Sequence, residues 1–169
     1  MKAIEGRVWK FGDNISTDLL MPSCSTHGKV RPSEMKYYCM QSERPEFAEN
    51  VKAGDIVVAG RNFGCGSSRP AMRNLMALGV ACVVAESVST LFFRNSLSAA
   101  FPILICEGVT RIFEEGDVAQ VLLATGEVHN ATKGITLQGE PYPPFLLRIV
   151  EEGGILEIFR QGKLLSDLT

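Results

Sequence analysis

Asp55-Ile56-Val57-Val58-Ala59-Gly60-Arg61-Asn62-Phe63-Gly64-Cys65-Gly66-Ser67-Ser68-Arg69-Pro70 is the stretch on which the reading of the fold turns. Residues 55–59 are a short, almost wholly apolar run bounded by Gly54 and Gly60, the pattern of a strand buried on both faces. A glycine-rich turn from Gly64 to Arg69 follows. Pro70 stands where a helix would begin and Gly79 where it would end, and Met72, Leu75, Met76 and Leu78 between them mark one apolar face. Residues 80–85 read as a second buried strand, 89–99 as a second helix, and Pro102 introduces a third strand over 103–106. That β-α-β-α-β order predicts parallel strands joined by crossover helices.

Outward from this centre the pattern loosens. Arg7-Val8-Trp9-Lys10-Phe11 predicts a short strand, ended by Gly12-Asp13-Asn14, and apolar Leu19-Leu20-Met21 is stopped by Pro22. Residues 23–46 are polar and irregular, with Gly28, Pro32 and Pro45 as breakers and room for a short helix over 34–41. Irregular segments of this length in compact domains usually carry function or mobility. Towards the C-terminus the sequence predicts a strand over 118–123, a helix over 145–152 closed by Gly153-Gly154, and a final strand over 155–159. The class is α/β with part of the sheet antiparallel, in a single domain spanning 1–169, a length that fits one core better than two.

Composition narrows the function classes. Hydrophobic residues make up 46% and charged residues 21%, as in an ordinary globular protein. With 17 basic against 19 acidic residues and no basic cluster interleaved with aromatics, nothing points to nucleic acid. Glu5, Arg7 and Lys10 break any apolar core of a signal peptide, and residues 80–85, the longest purely apolar run, fall far short of a membrane span. A cytoplasmic protein is expected. Cys24, Cys39, Cys65, Cys82 and Cys106 contain no C-x-x-C pair, and His27 and His129 add none, so reduced thiols and a metal-free chain are expected.

The turn is the candidate for chemistry. Gly64 and Gly66 let backbone approach a ligand closely, and Ser67 and Ser68 supply hydroxyls. Arg69 can grip a carboxylate through two parallel hydrogen bonds, and a helix starting at Pro70 would add the positive end of its dipole. Glycine and serine also build ordinary helix entries, with Ser68 or Arg69 as the cap, but the strand-to-helix position and the arginine favour a site for carboxylate or phosphate. A dinucleotide is the rival, since Gly64-x-Gly66 follows a strand and Glu86 lies twenty residues beyond Gly66. Against it, Arg69 replaces the third glycine and Arg61-Asn62-Phe63 separates strand from turn. The phosphate loop G-x-x-x-x-G-K-[ST] and the hydrolase elbow G-x-S-x-G are both absent.

These residues resemble the signature of the swivelling domain of the aconitase superfamily, and within it the small-subunit family of archaeal and bacterial 3-isopropylmalate dehydratases. The resemblance continues, in order, through Gly6-Arg7-Val8-Trp9-Lys10-Phe11-Gly12-Asp13-Asn14-Ile15-Ser16-Thr17-Asp18, Pro45-Glu46-Phe47-Ala48 and Val83-Val84-Ala85-Glu86-Ser87. It then takes in Phe92-Phe93-Arg94-Asn95, Pro102-Ile103-Leu104 and Glu151-Glu152-Gly153-Gly154-Ile155-Leu156-Glu157, and so spans nearly the whole chain.

The resemblance implies a three-layer β/β/α swivelling domain with a mixed, partly open barrel-like sheet, capping a large subunit that carries a [4Fe-4S] cluster. It implies a hydro-lyase, active only as that hetero-oligomer, which moves a hydroxyl between neighbouring carbons of a hydroxy-diacid. It leaves self-association of the isolated chain open. By position, Ser67 matches the base that takes a proton from carbon, Arg69 the substrate-carboxylate arginine, Ser68 and Gly66 the binding loop, and Asp18 an active-site aspartate. Asp18 equally suits a turn or cap. Arg94 and Asn95 are not placed in the site.

Two departures bear on substrate. Pro70 stands where the family usually has glutamate. The loop Ser23-Cys24-Ser25-Thr26-His27-Gly28-Lys29-Val30-Arg31 lacks the family's arginine-tyrosine-leucine pattern at the position implied to select the substrate's third substituent. Ser25, Thr26, His27, Lys29 and Arg31 are its candidate contacts. Lys29 or Arg31 suits an extra carboxylate, as in homoaconitate, or simply solvent. Isopropylmalate, homoaconitate, methylmalate and dimethylmalate all stay open.

Overall fold

The computed structural model describes residues 3–23 and 30–163. Seven strands form one sheet in the order β4-β3-β2-β1-β5-β6-β7. They are β1 (Ile4–Lys10), β2 (Ile56–Ala59), β3 (Cys82–Ala85), β4 (Ile103–Ile105), β5 (Val118–Leu122), β6 (Glu127–Asn130) and β7 (Ile135–Gln138). The first four run parallel, while β5 pairs antiparallel with β1 and leads into two further antiparallel pairings.

Alternation of side chains along β2 feeds two cores. Val57 and Ala59 join Trp9, Phe47, Phe63, Leu75 and Phe92 on one face. Ile56 and Val58 join Val84, Leu104, Val121 and Val128 on the other. Both faces being covered explains why β2 and β3 are apolar at every position. The sheet curls, and the chain leaving β7 returns along the free edge of β4. There Glu140 N–H donates to Ile105 O at 2.8 Å, and the Tyr142 hydroxyl donates to Ile103 O at 2.6 Å. The result is the mixed, partly open barrel-like sheet that the resemblance implied, with helices packed against it.

Those helices are α1 (Thr17–Leu20), a 3-10 helix (Pro32–Tyr38), α2 (Pro45–Asn50), α3 (Met72–Leu78), α4 (Thr90–Ser98), α5 (Val109–Ile112), α6 (Pro144–Glu151) and α7 (Ile155–Arg160). Two expectations are corrected. Residues 155–159 are helical, not a strand. Ile155 and Ile158, three apart on one helical face, pack with Ile149 and Leu97, and the edge of β4 is already occupied by residues 140–142. The helix expected from Pro70 begins at Met72. Ala71 N–H closes a tight turn onto Arg69 O at 2.7 Å before the helix starts.

Candidate active site

The Gly64–Arg69 loop is threaded between two other segments beyond the C-terminal ends of the parallel strands, where open α/β sheets commonly bind ligands. On one side Phe63 N–H donates to Ser87 O at 3.0 Å and Ser89 N–H to Phe63 O at 2.9 Å. On the other, Gly64 N–H donates to Ile15 O and Thr17 N–H to Cys65 O, both at 2.7 Å. Gly64 has φ +74°, and a Cβ there would lie 2.2 Å from Phe92 Cγ, so the chain passes this point only as glycine.

Four of the site residues expected from sequence come together here. Ser67 is half-buried, Gly66 and Ser68 are exposed, and the Arg69 side chain is 28% exposed. The Arg69 guanidinium forms an ion pair with Asp18, the fifth, and donates to Met21 O at 3.0 Å and Ser23 Oγ at 3.3 Å. Arg31 sits apart from this group in the bonds it makes: it is exposed, and its carbonyl accepts from Glu34 N–H at the start of the 3-10 helix. Ser25, Thr26, His27 and Lys29 lie outside the described residues.

Sequence reasoning passed over two contributors. Thr17 is fully buried, and its Oγ1 accepts from Ser67 N–H at 2.9 Å and lies 3.3 Å from Ser67 Oγ. The signal was present, since Thr17 directly precedes Asp18, but a threonine in a short apolar turn reads as local capping. Asn95, left out of the site, donates from Nδ2 to Ser68 O at 3.4 Å.

Because α3 starts only at Met72, its dipole acts at Pro70 and beyond rather than on Ser67. Polarity at Ser67 comes instead from neighbouring groups, with Arg69 N–H 3.4 Å from Ser67 Oγ. Beside Arg69 opens a groove of about 630 Å³ lined by Met21, Pro32, Met35, Pro70 and Ala77 together with Arg73 and Asn74. Asn74 fixes two walls of it, donating from Nδ2 to Leu20 O at 2.9 Å and Met35 O at 3.2 Å. An arginine beside a largely apolar lining suits a carboxylate bearing an aliphatic substituent.

The dinucleotide reading loses its acidic partner. Glu86 is taken by the Thr110 hydroxyl and by Arg61 Nε at 3.6 Å. Among the described residues, no three His, Cys, Asp or Glu side chains converge to hold a metal. Burial pushes the Cys82 thiol up to about 12, and burial together with Glu86 pushes Cys106 up to about 11, so neither offers a ready thiolate. No helix among the described residues is long and apolar enough to cross a membrane.

The family of the aconitase C-terminal domain matches residues 19–123. The chain is 45% identical over 165 residues to the 3-isopropylmalate dehydratase small subunit of Methanosarcina acetivorans, covering 97% of this chain and 99% of that one. It is 41% identical over 159 residues to the isopropylmalate/citramalate isomerase small subunit of Methanocaldococcus jannaschii, covering 94% of each. The crystal structure of 3-isopropylmalate dehydratase from the latter organism superposes with a TM-score of 0.87 at 31% identity, over 98% of both chains. The chain belongs to the aconitase C-terminal domain family, among the small subunits of 3-isopropylmalate dehydratase.

Proposed function

We propose that this chain is the small subunit of a hydro-lyase that converts 2-isopropylmalate to 3-isopropylmalate by removing and re-adding water, a step of leucine synthesis. The observation that carries the reading is the meeting of Ser67 and Asp18 with Arg69, which itself lines a largely apolar groove, in a chain whose relatives bear that name. In it Ser67, as its alkoxide, takes a proton from carbon, the electron pair of that bond forms a double bond, and the carbon–oxygen bond on the adjacent carbon breaks to release hydroxide. The proton on Ser67 and the hydroxide are together the elements of water, and the reverse addition returns them to the opposite carbons. Arg69 holds a substrate carboxylate, with Ser68 and Gly66 in the loop that closes around it. The groove past Met21 and Met35 takes the alkyl substituent. A [4Fe-4S] cluster on a separate large subunit would supply Lewis-acid assistance to the departing hydroxyl.

A serine hydroxyl is a poor base. Each unit by which its pKa falls needs ~1.4 kcal/mol of preferential stabilisation of the alkoxide. Donors aimed at Oγ in a site closed by the large subunit are the means, since a fixed hydrogen bond strengthens when water is excluded. The Methanocaldococcus relative, an isopropylmalate/citramalate isomerase small subunit, favours a second reading, in which citramalate, a methylmalate, is also accepted.

The test is reconstitution. The chain is mixed with a cluster-loaded large subunit, and isopropylmalate and citramalate isomerisation are followed separately. Activity only in the mixture supports the reading. Activity of the chain alone, or none with either diacid in an assembled complex, would contradict it.

A further inference from the structure

We infer that Thr17 is a positioning residue that activates Ser67, by donating its hydroxyl hydrogen to Ser67 Oγ; the inference rests on the reading of Ser67 as the base. Thr17 is 0% exposed, so its hydroxyl has no solvent to turn to. The Ser67 N–H already donates to Thr17 Oγ1 at 2.9 Å. That bond fixes the oxygen as an acceptor and leaves the single hydroxyl hydrogen to be placed. Ser67 Oγ, at 3.3 Å, is the acceptor within reach among the described residues. A buried hydroxyl left without an acceptor is costly, which favours this orientation.

Donation in that direction does two things at once. It sets the Ser67 side chain through a closed two-bond ring, from Ser67 N–H to Thr17 Oγ1 and from Thr17 Oγ1–H back to Ser67 Oγ. It also adds a second donor to Oγ beside Arg69 N–H, at 3.4 Å. Two donors converging on one oxygen stabilise its ionised form over its neutral form. Thr17 itself is held rigidly, its N–H bonded to Cys65 O at 2.7 Å in the β-bridge between Ser16 and Cys65. Gly66 belongs to the device, because a Cβ there would come within 3.0 Å of Thr17 Oγ1.

The experiment uses the assembled two-subunit enzyme with Thr17→Val, which keeps the side-chain volume and removes the hydroxyl. A Thr17→Ala variant serves if valine does not fold, and Thr17→Ser tests rescue. Loss of one hydrogen bond to an ionised group predicts a fall in kcat of about 10- to 100-fold. KM should change by less than about threefold, since Arg69 is untouched. The acid limb of the kcat–pH profile should move to higher pH, because Ser67 then ionises less readily, and Thr17→Ser should recover most of the loss. A drop in kcat with an unmoved pH profile, or a change mainly in KM, overturns the inference and leaves Thr17 a structural tie of the loop. Ser67→Ala is measured alongside. If that variant stays active, the reading of Ser67 fails first and the role of Thr17 with it; if it is inactive, the Thr17 result stands on its own.

Discussion

Asp18 and Arg69 form an ion pair that joins the segment after β1 to the loop after β2, with the aspartate side chain 59% exposed. So exposed a pair contributes little to stability, about 0.2–1 kcal/mol. On the proposed function, the pair aims the guanidinium. Asp18→Asn should therefore shift the unfolding free energy by less than about 1 kcal/mol. It should lower kcat/KM about tenfold or more, because a carboxylate anchor displaced by an ångström costs far more in rate than in stability. Urea unfolding and steady-state kinetics on the assembled enzyme check the two halves separately.

Arg69→Lys keeps the charge and loses the planar fork. One ammonium cannot make two parallel bonds to a carboxylate, so KM for the diacid should rise more than kcat falls. Equal losses in kcat and kcat/KM, with KM unmoved, would instead assign Arg69 to the transition state.

Substituent preference should reside in the groove. Isopropylmalate carries two more carbons than citramalate, worth together about 1.6 kcal/mol if both are buried. Met35→Gln keeps the length of the wall and makes it polar, and should cut the kcat/KM ratio of isopropylmalate to citramalate by up to roughly tenfold. Exchanging residues 23–31 for the corresponding loop of another dehydratase small subunit should move the same ratio. An unchanged ratio in both active hybrids would place selection elsewhere.

The parallel centre was legible because apolar runs, crossover helices and breakers all point the same way; residues 56–59, 82–85 and 103–105 are strands as read. The final helix was not, since Ile155-Leu156-Glu157-Ile158-Phe159 is too short to separate a helical period from a strand. The packing of Ile155 and Ile158 against Ile149 and Leu97 decides between them. The hairpin of β6 and β7 went unread for a related reason: β7 is exposed at three of its four positions and carries little apolar pattern. Ser67, Arg69 and Asp18, which the structure brings together, were expected from residue type and resemblance. Thr17 and Asn95 were not, because what marks them is a contact with a segment distant in sequence.

Asp55 ties β1 to β2 and gives a pH-dependent term. Burial would raise its pKa, but Arg7, the Lys52 N–H and Trp9 Nε1 outweigh it and hold the carboxyl below its ordinary 3.8. A depressed folded value means that its contribution is present above the ordinary value and lost as pH falls through the folded one. Asp55→Asn should cost about 1–3 kcal/mol at pH 7, and it should flatten the loss of stability below pH 4. Urea midpoints measured at pH 7 and in steps below pH 4 give both numbers.

The central claim is that this small subunit delivers the base. The most direct measurement is turnover of 2-isopropylmalate by the enzyme assembled with Ser67→Ala, alongside sedimentation to confirm that the subunits remain together. Removal of a general base predicts a loss of roughly two to four orders of magnitude in kcat with assembly intact. Turnover near that of the unaltered enzyme would contradict the account.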